Sequence, residues 1–155
     1  MSAQNPKPVA CSLTRATLAT ALLLLASGAP ANAQSRTVWD GVYTNAQALR
    51  GQALYKDICS SCHRDDLQGG GSEAEAPALE GSIFTTQWQD RRLVDLFLAI
   101  GTTMPQDAPD SLTPQIVIDI VGFLLEANGM PAGETELPPQ LAPLEEILLT
   151  SEPGD

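Results

Sequence analysis

Cys59-Ser60-Ser61-Cys62-His63 constrains this chain more than any other stretch of its 155 residues. The spacing C-x-x-C-H lets two thiols bond the edge of a haem while the next residue reaches its iron, so the chain must fold around a covalently held prosthetic group. Competing uses of the cysteines find little support. A tetrahedral zinc site needs four ligands, and outside the motif the sequence offers only Cys11 and no second histidine. A redox dithiol belongs in a strand-rich βαβ setting, whereas the flanks here read as helix before the motif and a Gly-rich loop after it. A structural disulfide or redox dithiol is the lesser alternative.

Residues 1–33 carry Lys7 and Arg15 but no acid, then an apolar run from Ala16 to Ala29, then Ala31-Asn32-Ala33. This order is that of a secretory signal peptide with a small-x-small cleavage site after Ala33, giving a mature chain that starts at Gln34 in the periplasm. The apolar run is short for a bilayer, so a retained membrane anchor is the weaker alternative and no membrane span is expected in the mature chain. Cys11 precedes the run, where a lipid-bearing cysteine would follow it. Cleavage leaves Cys59 and Cys62 as the only cysteines in an oxidising compartment, and haem attachment would consume both. Loss of two cations and no acid takes the formal net charge from −11 to −13. A molecule so acidic repels nucleic acid and anionic membrane surfaces and is drawn to a basic docking site, with plain solubility as the alternative role of the charge.

The mature chain is the size of one domain. A domain over residues 34–130 is expected, followed by an acidic, Pro-rich tail over 131–155. Thr44 and Gln47 stand at capping-box spacing and predict a helix from there to about Ile58, running straight into Cys59. Leu93, Leu96, Phe97 and Ile100 place a second helix over Asp90–Ile100, with Gly101 as its stop. Thr113 as cap, Pro114 at the first helical position and the nearly continuous apolar run Ile116–Leu125 predict a third, ended by Asn128-Gly129 and buried on more than one side. No useful strand alternation occurs, so the fold class is all-α.

Gly51, Tyr55 and Cys59 lie four residues apart along the first helix, and Pro77-Ala78-Leu79-Glu80-Gly81 follows the C-x-x-C-H motif. On these elements, over roughly residues 43–130, the chain resembles the class I c-type cytochromes. The resemblance implies three main helices around one haem c, with Gly51 and Tyr55 meeting the last helix near Ile120, Phe123 and Leu124. It implies that the Pro77 carbonyl accepts a hydrogen bond from His63, and that a methionine on the loop before the final helix is the second axial ligand. Met104, in Gly101-Thr102-Thr103-Met104-Pro105, stands at that place; Met130, beyond the final helix, reads as a packing residue. The cofactor-binding set is therefore Cys59, Cys62, His63, Pro77 and Met104, with His63 and Met104 on the metal.

Two axial ligands leave iron no vacant position, so its accessible chemistry is gain and loss of one electron. No catalytic residue and no enzyme activity are expected, except as the cytochrome subunit of a dehydrogenase complex. A haem enzyme or gas sensor with a displaceable sixth ligand is the alternative. The extended pattern, including Trp39-Asp40-Gly41-Val42-Tyr43 and the tail, is similar to bacterial periplasmic cytochromes that serve quinoprotein-type dehydrogenases. That likeness implies a periplasmic dehydrogenase as donor and a cytochrome oxidase or another cytochrome as acceptor. Trp88, Arg91 and Arg92 stand where they either bind propionates or fill the core and the helix start; Trp39 packs an N-terminal segment or meets a partner. The loop Asp65–Glu80, with Gly69-Gly70-Gly71, reads as a flexible surface loop, and the tail as a wrap, a docking segment or a disordered end.

Overall fold

Thr44 is extended, and its Oγ1 accepts from the Gln47 amide at 3.2 Å, which starts helix α1 over Asn45–Ile58. The reciprocal half of the expected capping box is not made. Gln47 is fully buried, and its carboxamide instead pairs with the backbone of Leu137, Nε2 donating to the carbonyl at 3.0 Å and Oε1 accepting from the amide at 2.8 Å. A buried amide must be satisfied somewhere, and the chain beyond residue 130 supplies both partners. This computed structural model describes residues 36–71 and 76–153; the expected signal peptide over 1–33, the expected cleavage after Ala33 and Cys11 lie outside the described residues.

The motif follows α1 as a single turn, α2 over Ser60–His63, and α3 covers Gly81–Trp88. Sequence patterning misses α3 because only Phe84 and Trp88, one turn apart, are buried along it. Helix α4 runs Leu93–Thr103, later at both ends than Asp90–Ile100. Asp90 has φ of 63°, and its amide donates to Leu149 O at 2.8 Å while Leu149 N donates to Arg91 O at 2.9 Å, so tertiary pairing takes the backbone of the expected first turn. Asp95 then accepts from the Arg92 amide at 3.2 Å and caps the delayed start. Gly101 stays inside α4, which closes with Thr103 Oγ1 donating to Ala99 O at 2.6 Å.

Helix α5 spans Pro114–Ala127, with Thr113 Oγ1 accepting from the Ile116 amide and Asn128 as the C-cap. Every residue from Val117 to Leu125 is buried, because α1 covers one side of α5 and α4 another. After it come α6, Leu141–Glu145, and a two-residue strand β2, Ile147–Leu148, which pairs in parallel with β1, Arg36–Thr37. Two residues per strand leave the architecture helical. Val38 N donates to Leu148 O at 2.9 Å and Trp39 Nε1 to Thr150 O at 3.0 Å, so Trp39 packs the N-terminal segment against the tail. Leu137, Leu144, Ile147 and Leu149 are buried in the same core as Val121 and Leu93. Of the readings open for the tail, wrapping of the domain is the one observed.

Candidate haem site

The site is built on the crossing of α1 and α5. At Gly51 the two backbones meet: a Cβ there would strike the Asp119 carbonyl and lie 2.9 Å from Phe123 Cβ. One turn later Tyr55 packs on Phe123, with ring centroids 5.2 Å apart and tilted by 50°. Its hydroxyl donates to Arg64 O at 2.6 Å, just past the motif. A further turn on, the amide of Cys59 donates to Tyr55 O at 2.8 Å and closes the helix. The helix pair thus fixes where the C-x-x-C-H turn leaves the core.

Cys59 and Cys62 are both half-buried. Burial, and after it the charge of Cys62, push the Cys59 thiol up to about 11. Reactive dithiols work through a depressed thiol pKa, and Cys59 is shifted the opposite way. His63 is 7% exposed, and its Nδ1 lies 2.9 Å from Pro77 O. A carbonyl only accepts, so Nδ1 carries the proton and donates it, which leaves Nε2 as the ring nitrogen that can offer a lone pair.

Successive carbonyls around the histidine each receive a donor. Gly71 N donates to Cys62 O at 2.7 Å, Gly69 N to His63 O at 3.1 Å, and Leu67 N, at 3.2 Å, joins Tyr55 on Arg64 O. Leu79 N donates to Leu67 O at 2.7 Å and ties the Pro77 segment to the same loop. This corrects the expectation of a flexible surface loop for its described part: Gly71 is pressed so closely on the motif that a Cβ would run into Ser61 O. Residues 72–75 lie outside the described residues.

Met104 caps α4, its amide donating to Ile100 O at 3.0 Å, and is half-buried at the head of the loop to α5. Met130 is a core residue, 5% exposed, and its carbonyl accepts the Tyr43 hydroxyl at 2.6 Å. Trp88 fills the core with the Arg91 guanidinium 5.5 Å from its ring centroid, a cation–π contact. Arg92 bridges to Leu148 through its backbone.

One cluster beside the site escaped sequence reading. Arg50 Nε and Nη2 each donate to a different oxygen of buried Asp119 at 3.0 Å, and Nη1 and Nη2 reach Glu136 at 2.9 and 2.8 Å. Gln115 Nε2 adds a bond to Asp119 Oδ1 at 2.9 Å. A single acid in the apolar run of α5 was the available signal, since a buried carboxylate needs a cationic partner.

A glycine-mediated helix crossing, an aromatic at the next turn, and a C-x-x-C-H turn whose histidine is tied to a loop proline define the class as a class I c-type cytochrome. Residues 46–124, half of the chain, match the family described as cytochrome c oxidase, cbb3-type, subunit III, and the chain belongs to that family. Among solved structures it is similar to the sulfane dehydrogenase SoxCD from Paracoccus pantotrophus, at 22% identity and a TM-score of 0.44, over 59% of this chain and 53% of that one. No curated protein matches the chain. Membership of the family implies haem c binding and electron transfer. Among the described residues no helix is long and apolar enough to cross a membrane.

Proposed function

We propose that the chain is an exported one-electron carrier with one haem c, held covalently by thioethers from Cys59 and Cys62, with His63 and Met104 as axial ligands. The contact between His63 Nδ1 and Pro77 O, at 2.9 Å, carries this reading. It fixes the tautomer and ring orientation, and hydrogen bonding at Nδ1 makes Nε2 the better iron donor. The donor set fits the group: two thiols at attachment spacing, an oriented imidazole beside them, and a half-buried thioether on a separate loop. A haem held here supplies reversible one-electron exchange at its iron.

The residues divide the work. Cys59 and Cys62 would tether the haem, His63 would offer its iron the Nε2 lone pair, and Met104 would offer a neutral, weak donor that favours the reduced state. Tyr55 and Phe123, locked between α1 and α5, form a rigid apolar wall that limits rearrangement when charge changes. The acidic surface steers the molecule to basic docking sites, and residues 1–33 direct it to the periplasm with cleavage after Ala33. The donor is a periplasmic dehydrogenase, of the quinoprotein type that the sequence resemblance implies. The acceptor is a cytochrome oxidase or another cytochrome, and the oxidase in the family's description supports the former.

The test is expression of the full chain with haem maturation machinery. A pyridine haemochrome assay after denaturation and solvent extraction is expected to show one haem still bound per chain. Met104→Ala is expected to abolish the weak far-red methionine-to-iron band of the oxidised protein and to lower its reduction potential. If band and potential survive unchanged, Met104 is not the ligand. Tight carbon monoxide binding by the unmutated protein would instead mark a sensor or enzyme.

A further inference from the structure

The residue after His63 is held in a conformation that side chains resist. Arg64 has φ of 65° and ψ of 159°, a region essentially reserved for glycine. Its amide donates to Ser60 O at 2.7 Å and its carbonyl accepts from Leu67 N at 3.2 Å, bonds that any residue at position 64 would make. The shorter bond to that carbonyl comes from a side chain, the Tyr55 hydroxyl at 2.6 Å. Arg64's own guanidinium turns outward to Asp66 at 3.0 Å, with both side chains about half exposed, and a pair so solvated holds the backbone only weakly.

We propose that Tyr55 is a positioning residue: its hydroxyl clamps the Arg64 peptide in this strained form and thereby fixes the plane of the His63 ring. The His63 backbone is bonded to Cys59 O at 2.9 Å and to Gly69 N at 3.1 Å, and its ring is then held by Pro77 O at Nδ1 and by the clamped peptide that follows it. Without the hydroxyl, the Arg64 peptide relaxes towards an ordinary conformation and carries His63 with it. With glycine at position 64 there is no strain to release, and the ring stays in place whether or not the hydroxyl is present. The inference rests on the reading of His63 as an axial ligand.

The test combines Tyr55→Phe and Arg64→Gly in the full-length, haem-loaded protein. Phenylalanine keeps the packing on Phe123 and removes only the hydroxyl. Strain relief is expected to make Arg64→Gly more stable, lowering the unfolding constant roughly three- to thirtyfold despite glycine's entropic cost. In the oxidised protein, the spread of the haem methyl proton shifts follows the plane of the axial histidine. Tyr55→Phe is expected to change that spread when residue 64 is arginine and to leave it unchanged when residue 64 is glycine. An Arg64→Gly protein no more stable than the parent, an unchanged spread in Tyr55→Phe, or the same change in both backgrounds overturns the proposal. If the parent protein binds no haem, the electron-carrier reading fails, while the stability of Arg64→Gly, which needs no iron, still reports on the strain.

Discussion

Gly51 shows how much one residue decides when two backbones cross. Its missing side chain leaves room for the Asp119 carbonyl, and the smallest addition fills that room with a clash against backbone. Gly51→Ala is therefore expected to destabilise the protein by about 3 kcal/mol, the upper part of the range for overpacking, as measured by urea denaturation. A change under about 0.5 kcal/mol would mean that α1 and α5 slide apart freely. At this scale the sequence was legible wherever chemistry imposes a local spacing. The C-x-x-C-H motif lies within five consecutive residues, and the run Gly51, Tyr55, Cys59 lies along one helix face. Arg50, Asp119 and Glu136 were not legible as a set, because residues so distant in sequence share no period and meet only when the helices and tail assemble. Tyr55 is a mixed case. Its place against α5 was implied by the resemblance to the class I cytochromes, but its bond to Arg64 depends on the turn after the motif, which no periodicity encodes.

Among the elements, α5 matched its sequence signals at both ends because cap, proline and apolar run all act within the helix itself. Helix α4 started late because Asp90 and Arg91 pair with Leu149, a competition between local helix and distant chain that the distant chain won. Helix α1 lies between these cases, since Thr44 caps it as expected while Gln47 is diverted to the tail. Thr44→Ala removes the acceptor for the Gln47 amide and is expected to cost about 1 kcal/mol. Urea denaturation checks the size, and Thr44→Ser, which keeps the oxygen, should recover most of the loss. If Ser and Ala behave alike, the cap contributes nothing and α1 is held by its packing alone.

For the whole molecule, the stretch beyond residue 130 decides how the domain closes. Gln47 pairs with Leu137, Arg50 with Glu136, β1 with β2, and Trp39 with Thr150, so both ends of the described chain are fastened to the helices and to each other. The Arg50 hydrogen bonds hold the Glu136 carboxyl below the ordinary glutamate range. A carboxylate lowered in the folded state adds stability that is complete above its unfolded value, roughly pH 4.3, and is lost as the pH falls through its folded value. Glu136→Gln is therefore expected to flatten the loss of urea resistance between about pH 6 and pH 3, by a modest amount because the pair is partly screened by water. Equal slopes in the two proteins would show that the Glu136 contact does not fasten the tail. The sequence by itself determined the C-x-x-C-H motif and the existence of the three long helices, because both follow rules of spacing that act over a few residues, and its resemblance to the class I cytochromes supplied the class. Only the tertiary structure decided where α4 begins, how the tail wraps, which acid Arg50 holds and what clamps the peptide after His63. Those contacts join residues far apart in the chain, and they form only where packed helices bring their polar groups within hydrogen-bonding reach.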